Sequence, residues 1–192
     1  MKVIYLTGAP AAGKSSTLKK LQEAAPSIFR FEYGAELTKF IQGRGTVVAN
    51  QDELRARSAQ IVRPEDIDAL DNILLDQVER LRGKRPVIID SHPVTKETYG
   101  FRVTAFTHDK VQRLRPDEIW VLYTAPNVMR ERIRRIPGGR PMVTEEEARM
   151  HTSTQVSVAV SYGIITGSPV YLFDTDQDQA LIVSSLLERL GK

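Results

Sequence analysis

Residues Gly8-Ala9-Pro10-Ala11-Ala12-Gly13-Lys14-Ser15 form the pattern Gly-x4-Gly-Lys-Ser. At that spacing each residue type has a task in holding a polyphosphate. The two glycines let the backbone curl so that several amide N–H groups point inward. Lys14 then reaches the β- and γ-phosphates, and the Ser15 hydroxyl ligates the Mg²⁺ that bridges them. Ser16 continues the run. A second candidate is Asp90, which closes the apolar run Val87-Ile88-Ile89 with a carboxylate able to hold Mg²⁺ directly or through water. Ser91 and His92 follow at once. They lie where a reacting phosphoryl group would sit, so His92 either contacts phosphate or acceptor, or shapes the loop.

A third group is basic. Arg130, Arg132, Arg134 and Arg135 fall within Met129 to Ile136, and Arg140 follows Gly138-Gly139. On a helix Arg130 and Arg134 share a face while Arg132 and Arg135 lean elsewhere. Glu131 offers an ion pair to Arg134 or Arg135. Two or three guanidiniums closing over a transferring phosphoryl group would neutralise its developing charge. Residues 130–143 therefore read as a short lid, an arginine-bearing helix followed by the turn Pro137-Gly138-Gly139. Arg134, Arg135 and Arg140 join Lys14 as catalytic candidates, and Arg130 joins Gly8 to Ser16 as an ATP-binding one. An acceptor phosphate would want one of Arg55, Arg57 and Arg63, and Arg55 is assigned to it.

These residues need a scaffold. Val3 to Leu6 is an apolar, β-type run ahead of the loop, and Leu18 and Leu21 follow it at helical spacing. Strand, loop and helix thus put the phosphates at the positive end of a helix dipole. Further strands are expected at Phe29–Tyr33, Pro86–Asp90, Glu118–Thr124 and Val170–Asp174. Helices are expected over 65–81, from the Thr144-Glu145-Glu146-Glu147 capping box to a stop at Gly167, and over 178–190. Strands alternating with helices predict an α/β fold with a parallel sheet covered on both faces. Ligands in such sheets bind beyond the carboxyl ends of the strands. Tyr33-Gly34, Asp90 and Thr124 should therefore share an edge with the phosphate loop. Ser91 to His108 is the least regular stretch and reads as a substrate loop.

The 192 residues suit one domain, with 41% hydrophobic and 27% charged residues. No run approaches the roughly 18 apolar residues of a membrane span, and the first residues already read as a strand rather than a signal sequence. There is no cysteine, hence no disulfide framework or thiol nucleophile. A cytoplasmic protein fits both observations. The net charge of +3 is mildly basic, but the basic residues do not form one run interleaved with aromatics. A phosphate-handling enzyme accounts for them without a nucleic-acid or membrane partner.

Taken in order, the loop Gly8 to Ser16, Tyr33-Gly34, Asp52-Glu53-Leu54-Arg55, Val87 to His92, Leu114-Arg115-Pro116-Asp117, the arginines through Arg140, and Ser161 to Gly167 resemble the archaeal-type adenylate kinases. These are P-loop nucleoside monophosphate kinases. The match spans nearly the whole chain, and Asp-Ser-His and Tyr-Gly-Ile-Ile-Thr-Gly are its most specific parts. The resemblance implies a P-loop NTPase-type three-layer sandwich with a central five-stranded parallel sheet. It also implies Mg²⁺-dependent transfer of the ATP γ-phosphate to AMP and the option of a trimer. A single domain, 1–192, would hold an acceptor region near 34–64 and the lid near 130–143. Acceptor contacts then fall to Tyr33, Gly34, Arg55, Ser91 and His92, and metal contacts to Ser15 and Asp90. In place of a tighter paired-arginine lid, this chain has Arg-Ile-Pro-Gly-Gly-Arg. A small-molecule or nucleoside kinase on the same fold, with Asp90 as base, and a nucleotide-dependent regulatory ATPase are the rival readings. No Asn-Lys-x-Asp guanine-reading element is present.

Overall fold

In a computed structural model, which describes residues 1–138 and 140–191, five parallel strands form the central sheet. Gly139, part of the expected hinge, and Lys192 lie outside the described residues. The sheet comprises β1 (Val3–Thr7), β2 (Phe29–Glu32), β3 (Val87–Asp90), β6 (Glu118–Tyr123) and β7 (Val170–Asp174), in the order β2-β3-β1-β6-β7. Every residue of β1 and β3 is buried, as expected of strands covered on both faces. Alternation along the strands sorts the core into two layers. Val3, Tyr5, Phe31, Ile89 and Val121 face one way, and pack with α4 (Pro64–Leu81), α5 (His108–Leu114) and α7 (Glu145–Thr166). Ile4, Leu6, Ile88, Trp120 and Leu122 face the other, against α1 (Lys14–Ala24) and α8 (Gln179–Gly191).

This order sets the position of the site. From β1 the chain runs outward to β2 and β3, then crosses to β6 on the opposite side of β1. The switch point therefore lies beside the carboxyl end of β1, where the phosphate loop begins and where Asp90 ends the neighbouring strand. Thr144 caps α7, accepting from the Glu147 N–H while the Glu147 carboxylate accepts from the Thr144 N–H, and Gly167 stops the helix in the left-handed region.

Two expectations need correction. The second strand stops at Glu32, and Tyr33-Gly34 open a helix, α2 (Tyr33–Gly43), instead of ending a strand. With α3 (Gln51–Ile61), α2 encloses a small apolar cluster of Ile41, Val48, Leu54 and Ile61. Ser91 to His108 is not irregular throughout. It contains an antiparallel hairpin, β4 (Val94–Glu97) and β5 (Gly100–Val103), followed by the start of α5. Between β6 and α7 lies α6 (Pro126–Arg135).

Glu118 ties the sheet floor to both ends of the chain. Its carboxylate, 5% exposed, accepts from Lys2 Nζ (2.6 Å), Trp120 Nε1 (2.8 Å) and Arg189 Nε (2.9 Å). Burial alone would raise its pKa, but the bonds from Arg189, Lys2 and Trp120 outweigh that and hold it low. Removing one member of a buried ion cluster strands the others, so Glu118→Ala is expected to cost about 3 kcal/mol in urea unfolding. Because the folded-state pKa is depressed, this contribution is complete above the ordinary value of 4.5 and fades as pH falls through the folded-state value. The gap between wild type and variant should narrow correspondingly in acid.

Candidate active site

The backbone of the phosphate loop takes the shape its residue types require. Gly8 adopts φ 154°, and a Cβ there would stand 2.2 Å from the Leu122 carbonyl oxygen, so no side chain fits. Gly13, at φ 81°, occupies the left-handed N-cap of α1 and turns the chain from loop into helix. Residues Ala9 to Ser16 line a cavity of about 960 Å³ together with Asp90, His92, Arg55, Arg132 and Arg140. Lys14 Nζ donates to the Gly8 carbonyl at 3.1 Å, folded back across the loop. Enclosure lowers its pKa, and the nearby Asp90 carboxylate partly opposes that.

A second cavity, of about 750 Å³, lies on the α2–α3 side. It shares Gly34, Gln51, Arg55, His92 and Thr95 with the first, so the two spaces meet in front of the phosphate loop. Tyr33 and Ser91 belong to the second cavity only. His92 stands at the junction. Loss of solvation, reinforced by Lys14, Arg55, His151 and Arg140, pushes its pKa down to about 3, so the imidazole is neutral at ordinary pH. His151 on α7 is buried and places Nε2 3.0 Å from the Val94 carbonyl, which puts the proton on that nitrogen.

Asp90 is not free. Arg30 Nη2 donates to its Oδ2 at 2.7 Å and sits 3.0 Å from Glu32 Oε2, so one guanidinium bridges carboxylates at the ends of two adjacent strands. Arg30 gave no signal in the sequence beyond being one of two charges, with Glu32, in an aromatic strand.

The arginine stretch is arranged differently from the expectation. Arg134 and Arg135 point to solvent and pair with Glu131 at 2.7 and 2.9 Å. Arg130 reaches the Val143 carbonyl and Glu145 rather than the cavity. The arginine that reaches the phosphate loop is Arg132, which donates to the carbonyls of Ala11 (3.2 Å) and Thr175 (2.8 Å) and to Thr175 Oγ1 (3.0 Å). The buried stripe of α6, Met129 and Ile133, explains this. At roughly 100° per residue, Arg132 lies about 80° from that stripe, whereas Arg134 and Arg135 lie about 120–140° away. Arg130 lies about 80° away on the other side, so the apolar stripe narrows the choice to Arg130 and Arg132 and only the packing separates them. Arg140 does line the cavity, where burial and the Arg55 charge lower its pKa. Arg55 Nη1 donates both to Asp52 (2.6 Å) and to the Gly138 carbonyl (2.6 Å), joining α3 to the segment after α6.

A glycine-rich loop at the switch point of a five-stranded parallel sheet, opening a helix and facing two joined cavities, defines a P-loop phosphotransferase fold. The chain belongs to the AAA domain family AAA_17, whose model matches residues 7–149. It is 22% identical to the adenylate kinase of Pyrococcus furiosus over 180 residues, covering 93% of this chain and 89% of that one. Among solved structures, the tunicamycin resistance protein of Deinococcus radiodurans shares the fold with a TM-score of 0.58 at 18% identity, over 99% of this chain and 95% of the other. The shikimate kinase of Acinetobacter baumannii does so with a TM-score of 0.56 at 14% identity, over 99% and 93%. The chain is an ATP-dependent kinase of the nucleotide or small-molecule kind. No helix among the described residues is long and apolar enough to cross a membrane.

Proposed function

We propose that the protein transfers the γ-phosphoryl group of ATP to a nucleoside monophosphate, with AMP the first candidate. The observation that carries this reading is the junction of the two cavities at Arg55 and His92, directly in front of the phosphate loop. One cavity takes the triphosphate and the other a second substrate of nucleotide size, so donor and acceptor phosphates meet at the junction. The adenylate kinase relatives, matched along 93% of the chain, support the choice of acceptor.

The work assigned to the protein is positioning and charge stabilisation. Loop amides and Lys14 hold the β- and γ-phosphates, and Arg132 and Arg140 supply positive charge at the rim. Arg55 holds the acceptor phosphate, whose own oxygen attacks in line, so no base is needed. His92, neutral, offers a hydrogen bond without adding another cation to a crowded group. The Ser15 hydroxyl and the Asp90 carboxylate line the cavity together, and the described residues gather no group of three or more metal-ligating side chains. One hydroxyl and one carboxylate suit an Mg²⁺ ion that arrives on the nucleotide and keeps water and phosphate as its main ligands. When bound, the ion would neutralise phosphate charge, with Ser15 and Asp90 holding it.

A second reading has one observation in its favour. Glu32, at the end of β2, also lines the first cavity, and a kinase for hydroxyl acceptors would want such a carboxylate as base. Asp90 is held more closely, 2.7 Å from the Arg30 guanidinium that stands 3.0 Å from Glu32, so Glu32 is the carboxylate freer to turn toward a hydroxyl. A coupled assay for ADP formation with AMP, other monophosphates, nucleosides and small polyols separates the two. Turnover with monophosphates, and none with hydroxyl compounds, is the expected result. Turnover with hydroxyl acceptors alone would replace the first reading with the second.

A further inference from the structure

The far wall of the second cavity carries a charged cluster that phosphoryl transfer does not use. Lys110 on α5 donates to Asp71 Oδ2 at 2.8 Å and lies 2.7 Å from Asp68 Oδ1, both carboxylates being on α4. The Tyr33 hydroxyl donates to Asp71 Oδ1 at 2.6 Å. Asp71 is 3% exposed, and burial raises its pKa against the opposing bonds from Lys110 and Tyr33. Taking a carboxylate this far out of water costs several kcal/mol, offset here by one ammonium and one phenol. Asp71 and Lys110 line the second cavity and not the first, which places them away from the phosphate loop.

Aromatic rings flank the cluster. Tyr33 meets Phe106 edge-on at 6.3 Å, and Phe106 meets Tyr162 at 6.0 Å, all three lining the same cavity. Such walls suit a flat ring. Tyr5 Oη is buried at the same wall, near Ser91 and Tyr162, without completing a well-aligned hydrogen bond. Lys110 has three N–H donors and spends two on the aspartates, while each Asp71 oxygen keeps a lone pair. The wall therefore presents a donor beside acceptors. Two carboxylates against one ammonium leave it net negative, so it favours a ring edge that carries N–H donors.

We propose that Asp71 and Lys110 determine the acceptor's base, reading an exocyclic amino group beside an unprotonated ring nitrogen. Adenine and cytosine have that edge. Hypoxanthine and uracil present the reverse, a carbonyl beside a ring N–H, and a ring fixed between aromatic walls cannot satisfy both patterns. The inference rests on the nucleoside monophosphate reading and adds to it the class of base and the residues that select it. Tyr33 acts through Asp71 as a positioning residue.

The experiment compares AMP with IMP and CMP with UMP at saturating MgATP, in the wild-type protein and in Asp71→Asn and Lys110→Met. Wild type is expected to favour the amino base of each pair by ~10-fold or more in kcat/KM, the scale of one well-placed buried hydrogen bond. Each variant should shrink that ratio at least ~5-fold, with the loss falling on acceptor KM more than on kcat. A purely structural role would lower all four acceptors alike. Lys110→Met carries the test if Asp71→Asn loses its cooperative thermal transition. Wild-type ratios within ~2-fold of unity, or ratios unchanged in a folded variant, overturn the proposal while leaving monophosphate kinase activity standing. Heat of MgATP binding with no turnover of any monophosphate overturns the nucleoside monophosphate reading, and this proposal falls with it.

Discussion

Lys14→Ala is expected to lower kcat by ~10³-fold while leaving the thermal midpoint within a few degrees of wild type or slightly above it. The two halves of this result have separate causes. Catalytically, Lys14 is the cation that the loop itself brings to the transferring phosphate, and its charge is worth most in an enclosed, water-poor space. Structurally, its ammonium has a single modest hydrogen bond, to the Gly8 carbonyl at 3.1 Å, and its pKa is lowered by burial. A base whose folded pKa is depressed is less stable charged in the fold than in the unfolded chain, so deleting it removes a cost. Lys14→Arg should also fail, because a planar fork cannot replace a compact ammonium in a space set by the loop amides. Steady-state kinetics and a thermal melt on the same preparation check both halves. Near-normal kcat in a folded Lys14→Ala protein would refute the assignment of the loop.

The parts of the molecule that were legible in the sequence are those whose causes are local. The glycines at 8 and 13 encode their own backbone angles, the apolar runs of β1 and β3 encode burial on both faces, and Thr144 with Glu147 encodes a helix start. Tyr33-Gly34 misled because Phe29 to Tyr33 is a continuous aromatic, β-prone run, and a glycine in the first turn of a helix looks like a strand end. The hairpin of β4 and β5 was hidden by mixed polarity, since only Val94 among its residues is fully buried. The acceptor wall was out of reach for a different reason. Asp71 and Lys110 are 39 residues apart, and Arg30 and Asp90 60 apart, so no short window contains either pair. Only the sheet order and the packing of α4 on α5 bring them together.

Arg132→Ala is expected to lower kcat/KM for ATP by ~10²-fold, whereas Arg134→Ala and Arg135→Ala should stay within ~2-fold of wild type. The contrast follows from where each guanidinium ends. Arg134 and Arg135 are exposed and share Glu131, and such surface pairs contribute about 0–1 kcal/mol. Arg132 is half-buried and spans the apex of the phosphate loop and the turn after β7, with three bonds to Ala11 and Thr175. Its loss frees the loop apex and also removes a positive charge from the cavity rim, effects that add because both act on the bound triphosphate. Arg132→Lys should recover only part, since a shorter side chain with one nitrogen can at best replace the Nη1 bonds to Ala11 and Thr175 Oγ1 and loses the Nη2 bond to the Thr175 carbonyl. Thr175→Ala separates the two contributions, because it loosens the turn but keeps the charge. If the loop-holding role dominates, Thr175→Ala, which removes the Oγ1 bond and leaves the two bonds to backbone carbonyls, should reproduce part of the rise in KM for ATP. If charge dominates, its KM should stay near wild type while Arg132→Ala alone loses kcat. Equal activity of Arg132→Ala and Arg134→Ala would remove Arg132 from the site and return the rim charge to Arg140 alone.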